Sequence, residues 1–310
     1  MNKENYWLTM RDGHSIYMQK WEDSSLEPKG LIQIAHGMVD HINRYDNFAT
    51  YFAKKGYIVY GNDHRGHGKT GQKYDTIGFS SNENGFERMS EDLVEITQNI
   101  TNSYPTLPIF LLGHSFGSFL VRYYIQSHSE MLAGVILSGT GHQPTVILKL
   151  LKQLAKREIK KKGAKTPSHR LNKLIFGNYE RTVPGAQTNF DWLSRDRSEV
   201  KKYIDDPHTG FIPSTTFYFD MFHGMSLMAK NRNIAQIKKN LPMLFISGDQ
   251  DPVGNKSKGV KQAITQYQKH EMENIEYIFY EKSRHEVLNE INKQQVYDDI
   301  NQWIGKIIEQ

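Results

Sequence analysis

Ser115 stands in Gly113-His114-Ser115-Phe116-Gly117, directly behind the apolar run Ile109-Phe110-Leu111-Leu112 and just ahead of a helix-like segment from Ser118 to Ser127. A strand that reverses into a helix over so few residues needs a sharp turn. Glycines at 113 and 117 remove two Cβ atoms that would clash there and leave the serine hydroxyl at the tip. Such a hydroxyl can act as a nucleophile only when a base takes its proton and a carboxylate orients that base. A lone Gly-x-Ser-x-Gly also occurs in ordinary strand–helix turns, so the partners must be found elsewhere in the chain.

Two later loops supply them. After the apolar run Met243–Ile246 comes Ser247-Gly248-Asp249-Gln250-Asp251-Pro252-Val253, and after Ile275–Tyr280 comes Glu281-Lys282-Ser283-Arg284-His285-Glu286. Both sit just beyond strands, in the order serine, acid, histidine that an α/β-hydrolase sheet requires. His285 is the histidine between the final strand and the last helix, which singles it out from the 13 in the chain. Of the two aspartates, Asp251 is favoured because it lies further out on its loop, with a backbone that Pro252 holds extended. Asp249 is expected to support the turn by accepting from the backbone. The oxyanion of an acyl-transfer intermediate needs preorganised N–H donors. The residue after the nucleophile, Phe116, gives one, and Met38, on the loop His36-Gly37-Met38 after an early strand, is the second candidate.

The elements that must hold these residues alternate. Strands are expected over 5–9 and 15–22 around an Asp12-Gly13 turn, then over 30–35, 57–60, 109–112, 134–137, 243–246 and 275–280. Helices fall between them at 44–55, about 90–102, 257–268 and about 290–308. This alternation implies a mostly parallel sheet of eight strands flanked by helices, with ligands beyond the strands' carboxyl ends. The polar and glycine-rich motifs cluster at those ends. Residues 142–230 interrupt the pattern with Pro144, an amphipathic helix (Ile147, Leu150, Leu151, Leu154 and Ala155 on one face, lysines opposite) and many aromatics. They read as a helical cap inserted between core segments 1–141 and 231–310, most of whose aromatics form the cap's own core.

Composition bounds the function. The 310 residues carry 38% apolar and 12% aromatic side chains, enough for a sizeable core, and no run approaches the roughly 20 apolar residues of a membrane span. There is no cysteine, which excludes disulfides and thiolate metal sites but does not fix the compartment; no apolar signal segment is visible at the start, so the cytoplasm is the default expectation. The net charge of +5 is concentrated in Lys149, Lys152, Lys156, Arg157, Lys160, Lys161, Lys162 and Lys165. This helix face suits peripheral contact with anionic lipid, or plain solvation; without interleaved aromatics it does not suit nucleic acid. Gly68-Lys69-Thr70 lacks the first glycine of a phosphate-binding loop, since Asp63 occupies its place, and its flanks do not read as strand–loop–helix. Gly139-Thr140-Gly141 has Pro144 where a dinucleotide fingerprint needs its third glycine. Asp63, His64 and His67 lack a further ligand and read as groups that order their loop. Neither metal nor cofactor is expected, and oligomeric state is left open.

The stretches His36–Tyr45, Asp63-His64-Arg65-Gly66-His67-Gly68, Gly113–Gly117, Phe190–Asp196, Gly248–Gly254 and His285–Glu290 together resemble the monoacylglycerol lipase and lysophospholipase branch of the α/β-hydrolases, related to serine aminopeptidases. The resemblance spans almost the whole chain in the correct order. It implies Ser115, Asp251 and His285 as a catalytic triad, the Met38 and Phe116 amides as the oxyanion hole, and a lid-covered acyl tunnel. The implied activity is serine carboxylester hydrolysis of a monoacyl lipid through an acyl-enzyme. One departure is Phe116, where this branch often has methionine; the ring is expected to reshape the tunnel entrance. A peptidase acting on free N-termini with the same triad, or a silent scaffold that binds lipid or a partner, are the rival readings.

Overall fold

The fold, from a computed structural model that describes residues 1–309, is organised by one eight-stranded sheet in the order β1-β2-β4-β3-β5-β6-β7-β8. The strands are β1 (Asn2–Thr9), β2 (Ser15–Glu22), β3 (Gly30–Ala35), β4 (Tyr57–Asn62), β5 (Ile109–His114), β6 (Gly134–Ser138), β7 (Met243–Gly248) and β8 (Ile275–Tyr280). The hairpin β1–β2 and the β2–β4 pairing are antiparallel, and the remaining pairings are parallel.

The helices are α1 (Asp46–Ala53), α2 (Gly68–Lys73), α3 (Gly85–Ser103), α4 (Phe116–His128), α5 (Thr145–Lys162), α6 (His169–Phe176), α7 (Arg197–Asp205), α8 (Thr215–Met228), α9 (Asn231–Ile234), α10 (Lys258–Gln268) and α11 (Lys293–Ile308). They cover both faces of the sheet, which is why the central strands are apolar without a break. In β5, Ile109 and Leu111 pack into one core with α3, α4, α8 and α10. Phe110 and Leu112 point the other way, into a second core with α1 and α11. β6 and β7 alternate in the same manner, so each apolar run serves two layers at once.

Three of the elements differ from the sequence reading. The expected helix over 44–55 is a 3₁₀ turn (Ile42–Tyr45) followed by α1, because Asp63 Oδ1 accepts the Ile42 N–H and pins the chain before the regular helix begins. The flanks of Gly68-Lys69-Thr70 do form strand–loop–helix, with β4 before and α2 after. Its polar side chains are nevertheless consumed internally: Thr70 Oγ1 accepts from Tyr17 N–H at 2.9 Å and donates to the Asp63 carbonyl, and Lys69 Nζ reaches Tyr17 Oη. On α5 the buried face is Leu148, Ala155 and Glu158, whereas Ile147 and Leu150 are exposed. The i, i+7 pair Leu148 and Ala155 faces α8, and Leu150 is turned roughly 200° from it at 3.6 residues per turn. α8 itself packs on α3 and α4.

Candidate active site

The nucleophile candidate is held by its backbone. Ser115 follows β5 with φ 51° and ψ −117°, a conformation rare for a residue with a side chain. The turn closes because both glycines are needed: a Cβ on Gly117 would lie 2.1 Å from the Ala35 carbonyl oxygen, and one on Gly113 2.6 Å from that of Gly117. Ser115 N–H donates to the Ser138 carbonyl of β6 at 2.8 Å. Its hydroxyl has no hydrogen-bond partner among the described residues and opens into the cavities described below.

His285 and Asp251 meet behind it. His285 Nδ1–H donates to Asp251 Oδ2 at 3.0 Å, and both side chains are buried. That bond leaves Nε2 as the free imidazole nitrogen, in a cavity shared with Ser115. The ring is walled by Trp192 (centroid separation 5.2 Å), His114 (4.8 Å) and Gly139, where a Cβ would sit 3.0 Å from Cε1. Burial pushes the His285 pKa down, but the charge and hydrogen bond of Asp251, helped by Glu286 and Asp40, outweigh it, and the net shift is upward from 6.5. Asp251 Oδ1 accepts the Val253 N–H at 2.8 Å. Asp249 does not play the backbone-acceptor part expected of it: it accepts Gln250 Nε2 at 3.1 Å on the surface, because its carboxyl points out of the turn and Asp251 fills that part.

The two residues expected to supply oxyanion amides, Phe116 and Met38, line the same cavity as the serine. Phe116 is the first residue of α4, where backbone N–H groups have no partner within the helix. Its ring is buried against Phe86 and Phe217 and also forms part of an apolar cavity wall. Met38 lies on the loop after β3; a Cβ on its neighbour Gly37 would be 3.5 Å from Ser115 Cβ.

Sequence reasoning gave no role to the ion pairs beside this loop. Arg44 donates through both terminal nitrogens to Glu286 (2.8 and 2.6 Å) and through Nη1 to Asp40 (3.1 Å). Burial disfavours all three charges, yet their mutual attraction holds Arg44 well above its ordinary value and both carboxyls below theirs. The i, i+4 spacing of Asp40 and Arg44 was the legible signal; the distant partner Glu286 was not. Around them His36, His64, His67 and His114 are buried, and burial lowers the pKa of each, to about 4 for His67 and His114. His64 N–H donates to His36 Nε2 at 2.9 Å, and Asp63 accepts from Ile42 and Lys69 amides, so this group orders loops. Among the described residues no group of His, Asp and Glu is arranged to hold a metal ion.

Ser115 is shared by two cavities. One, of ≈ 310 Å³, is walled by Phe119, Leu148, Leu151, Leu174, Met221, Phe222 and Met225. The other, of ≈ 320 Å³, has polar groups from Asn172, Lys173, Glu180 and Asn189 among Phe176, Trp192 and Phe211. Met38, Ser115 and Phe176 belong to both. Trp192, Tyr203, Phe176, Tyr179 and Phe190 pack together as a separate small core within residues 142–230. The arrangement can accept a substrate across the serine, apolar on one side and more polar on the other.

Residues 26–292 match the family model described as serine aminopeptidase, S33. A monoacylglycerol lipase from Mycolicibacterium smegmatis is 27% identical over 298 residues, covering 94% of this chain and 93% of that one. A carboxyl esterase from Bacillus coagulans, solved in complex with glycerol, superposes with a TM-score of 0.91 at 25% identity over 99% of each chain. A monoglyceride lipase from Saccharomyces cerevisiae with a substrate analogue superposes at 0.77 and 18% identity, covering 99% and 95%, a likeness of fold.

Proposed function

The chain belongs to the serine aminopeptidase (S33) family of hydrolases, within the monoacylglycerol lipase branch of the α/β-hydrolases, and from that premise we propose that it hydrolyses monoacyl lipid esters, monoacylglycerols or lysophospholipids, through an acyl-enzyme. In this reading His285 Nε2 takes the Ser115 proton as the hydroxyl attacks the ester carbonyl. Asp251 holds the imidazole in the required tautomer and stabilises the imidazolium. The Met38 and Phe116 amides receive the oxyanion. The alcohol leaves with a proton from His285, and water activated by the same imidazole releases the fatty acid. Residues 142–230 act as a cap over a core built from 1–141 and 231–310.

The observation that carries the reading is the serine placed between an apolar and a polar cavity, beside the buried Asp251–His285 pair. The acyl chain is assigned to the apolar side and the alcohol to the polar side. Of the three acids lining the polar cavity, Asp40 and Glu286 are already neutralised by Arg44, which disfavours a free N-terminus and leaves Glu180, 3.7 Å from the exposed Arg181, as the carboxylate open to an ammonium group. Each buried CH₂ contributes about 0.8 kcal/mol, so kcat/KM is expected to rise roughly fourfold per acyl carbon until the cavity is full. The test is hydrolysis of p-nitrophenyl esters of increasing length, then of monoacylglycerols, by wild type and Ser115→Ala. Activity abolished by the substitution and rising with chain length supports the reading. A flat profile removes the acyl cavity, activity that survives Ser115→Ala removes the nucleophile, and turnover of free-N-terminus peptides alone replaces the esterase with a peptidase.

The outer face of α5 extends the proposal to the substrate's surroundings. Its only carboxylate, Glu158, is buried, while six lysines and arginines are exposed along the same helix as the exposed Val146 and Leu150, and Lys152 turns to His223. This face rests against anionic lipid in our reading. Equal binding to neutral and anionic vesicles would sink that assignment.

A further inference from the structure

The oxyanion candidate Met38 sits in a tight turn whose next residue is strained. Val39 has φ 51°. That region favours glycine or asparagine, and a β-branched side chain there is a genuine outlier that persists only when surrounding contacts hold it. Met38 and Val39 are the two central residues of the turn from Gly37 to Asp40. Met38 and Val39 share this turn, so a change in the Val39 conformation reorients the peptide planes around Met38.

The groups that hold Val39 come from the covering segment. Its carbonyl oxygen accepts the Tyr203 hydroxyl at 3.3 Å and the Gly210 N–H at 3.1 Å. Tyr203 is itself buried and fixed, with its ring 4.8 Å from Arg44 Cζ and 5.1 Å from that of Phe190. On the other side of the turn, Asp40 closes the loop by accepting from Tyr45 Oη at 3.0 Å and from Arg44. The turn is thus anchored from below by a carboxylate of the core and from above by a hydroxyl and an amide of the cap.

We propose that Tyr203 is a positioning residue for the oxyanion hole: its hydroxyl, with the Gly210 amide, holds the strained Val39 carbonyl and so keeps the Met38 N–H directed at the reacting carbonyl. This rests on the esterase reading above. It makes the covering segment more than a wall for the substrate. A displaced cap lets the turn relax and loses one oxyanion donor, so full stabilisation of the transition state requires the cap seated. The effect falls on the chemical step and not on ground-state binding.

The test is a double-mutant cycle with a short, water-soluble p-nitrophenyl ester, which makes little use of the apolar cavity. Tyr203→Phe removes only the hydroxyl and keeps the ring on Arg44. It is expected to lower kcat by about tenfold, with KM within about twofold, because small misplacements of a catalytic group cost one to two powers of ten. Glycine tolerates the left-handed turn unaided, so on a Val39→Gly background the same Tyr203→Phe change is expected to cost less than about twofold. A general loss of packing would lower the thermal midpoint and the rate alike on both backgrounds. Should Tyr203→Phe not fold, amide hydrogen exchange of residues 37–41 in Val39→Gly and wild type is the second readout. The glycine turn, no longer dependent on the cap, is expected to keep its protection when a denaturant concentration below the global transition loosens the cap, while the wild-type turn loses it. An equal penalty on both backgrounds, no penalty at all, or loss of protection in both proteins overturns the proposal. Wild type active and Ser115→Ala inactive, with no dependence on background, removes this inference alone; a wild type inactive on every ester removes the esterase reading and this inference with it.

Discussion

The loops at the carboxyl ends of the strands and the outer face of the segment above them are built on opposite principles. Below, Asp251, His285 and Glu286 are buried and the Arg44 side chain is 9% exposed, and every one of them has a partner. Above, Val146 and Leu150 on α5 are apolar and 68% and 66% exposed, among lysines. A charge without water must be paired or it is very costly, so the lower region admits almost no freedom in residue type or position. The upper face is constrained only by solubility and by whatever it meets. Single substitutions should therefore act strongly below and weakly above.

The largest effect is expected at Asp251. Asp251→Asn keeps the shape but favours the wrong imidazole tautomer, and a drop of about 10⁴ in kcat is expected. Asp249→Asn, two residues away on the surface, should stay within about twofold. Steady-state rates decide it, and similar losses in both variants would erase the distinction between the two aspartates. Next comes Arg44→Met, which leaves Asp40 and Glu286 buried without their cation. A loss of about 3–5 kcal/mol is expected for breaking one side of such a network, read from urea unfolding. Arg157→Met on the outer face of α5 should stay within about 0.5 kcal/mol.

Acid separates the regions within the site itself. His36, His64, His67 and His114 have depressed pKa values, so below about pH 6.5 the unfolded chain takes up protons that the fold refuses. Stability then falls as pH drops, by about 1.4 kcal/mol per unit for each histidine between its unfolded and folded values. His285 has the opposite sign. Its raised pKa adds stability below 6.5 that is lost as pH rises through the folded value, but as a base it must be neutral. The acid limb of kcat/KM is therefore expected above pH 6.5, falling tenfold per unit, before unfolding begins. A limb that coincides with the unfolding transition would show that the loss of rate is loss of fold.

Legibility followed the same division. The strands' positions along the chain and the serine, acid and histidine loops could be read because each rests on local chemistry: an apolar run, a glycine pair, a proline after an aspartate. The fold and family are established, and the structure brings Asp251 and His285 together as a bonded pair, with His285 lining the cavity of Ser115. What was not legible depends on partners distant in sequence. Glu286 lies 242 residues from Arg44, and Tyr203 164 from Val39. Neither leaves a spacing to detect. Leu150 was assigned to the wrong face of α5 because nearly every turn of that helix carries an apolar residue, so the pattern alone allowed more than one buried stripe.

That ambiguity gives the smallest contrast and the most direct check of the two faces. Leu148 is 1% exposed, lies against α8 and lines the apolar cavity. Leu148→Ala is expected to cost about 2–5 kcal/mol, as removal of a buried leucine side chain does. Leu150, two residues on, is 66% exposed, and Leu150→Ser is expected to change stability by no more than about 0.5 kcal/mol. Thermal or urea unfolding of the two variants side by side measures the difference. A large loss from Leu150→Ser would mean that the residue is covered in solution, by a second copy or by a shifted cap, and the outer face would then follow the same rules as the site beneath it.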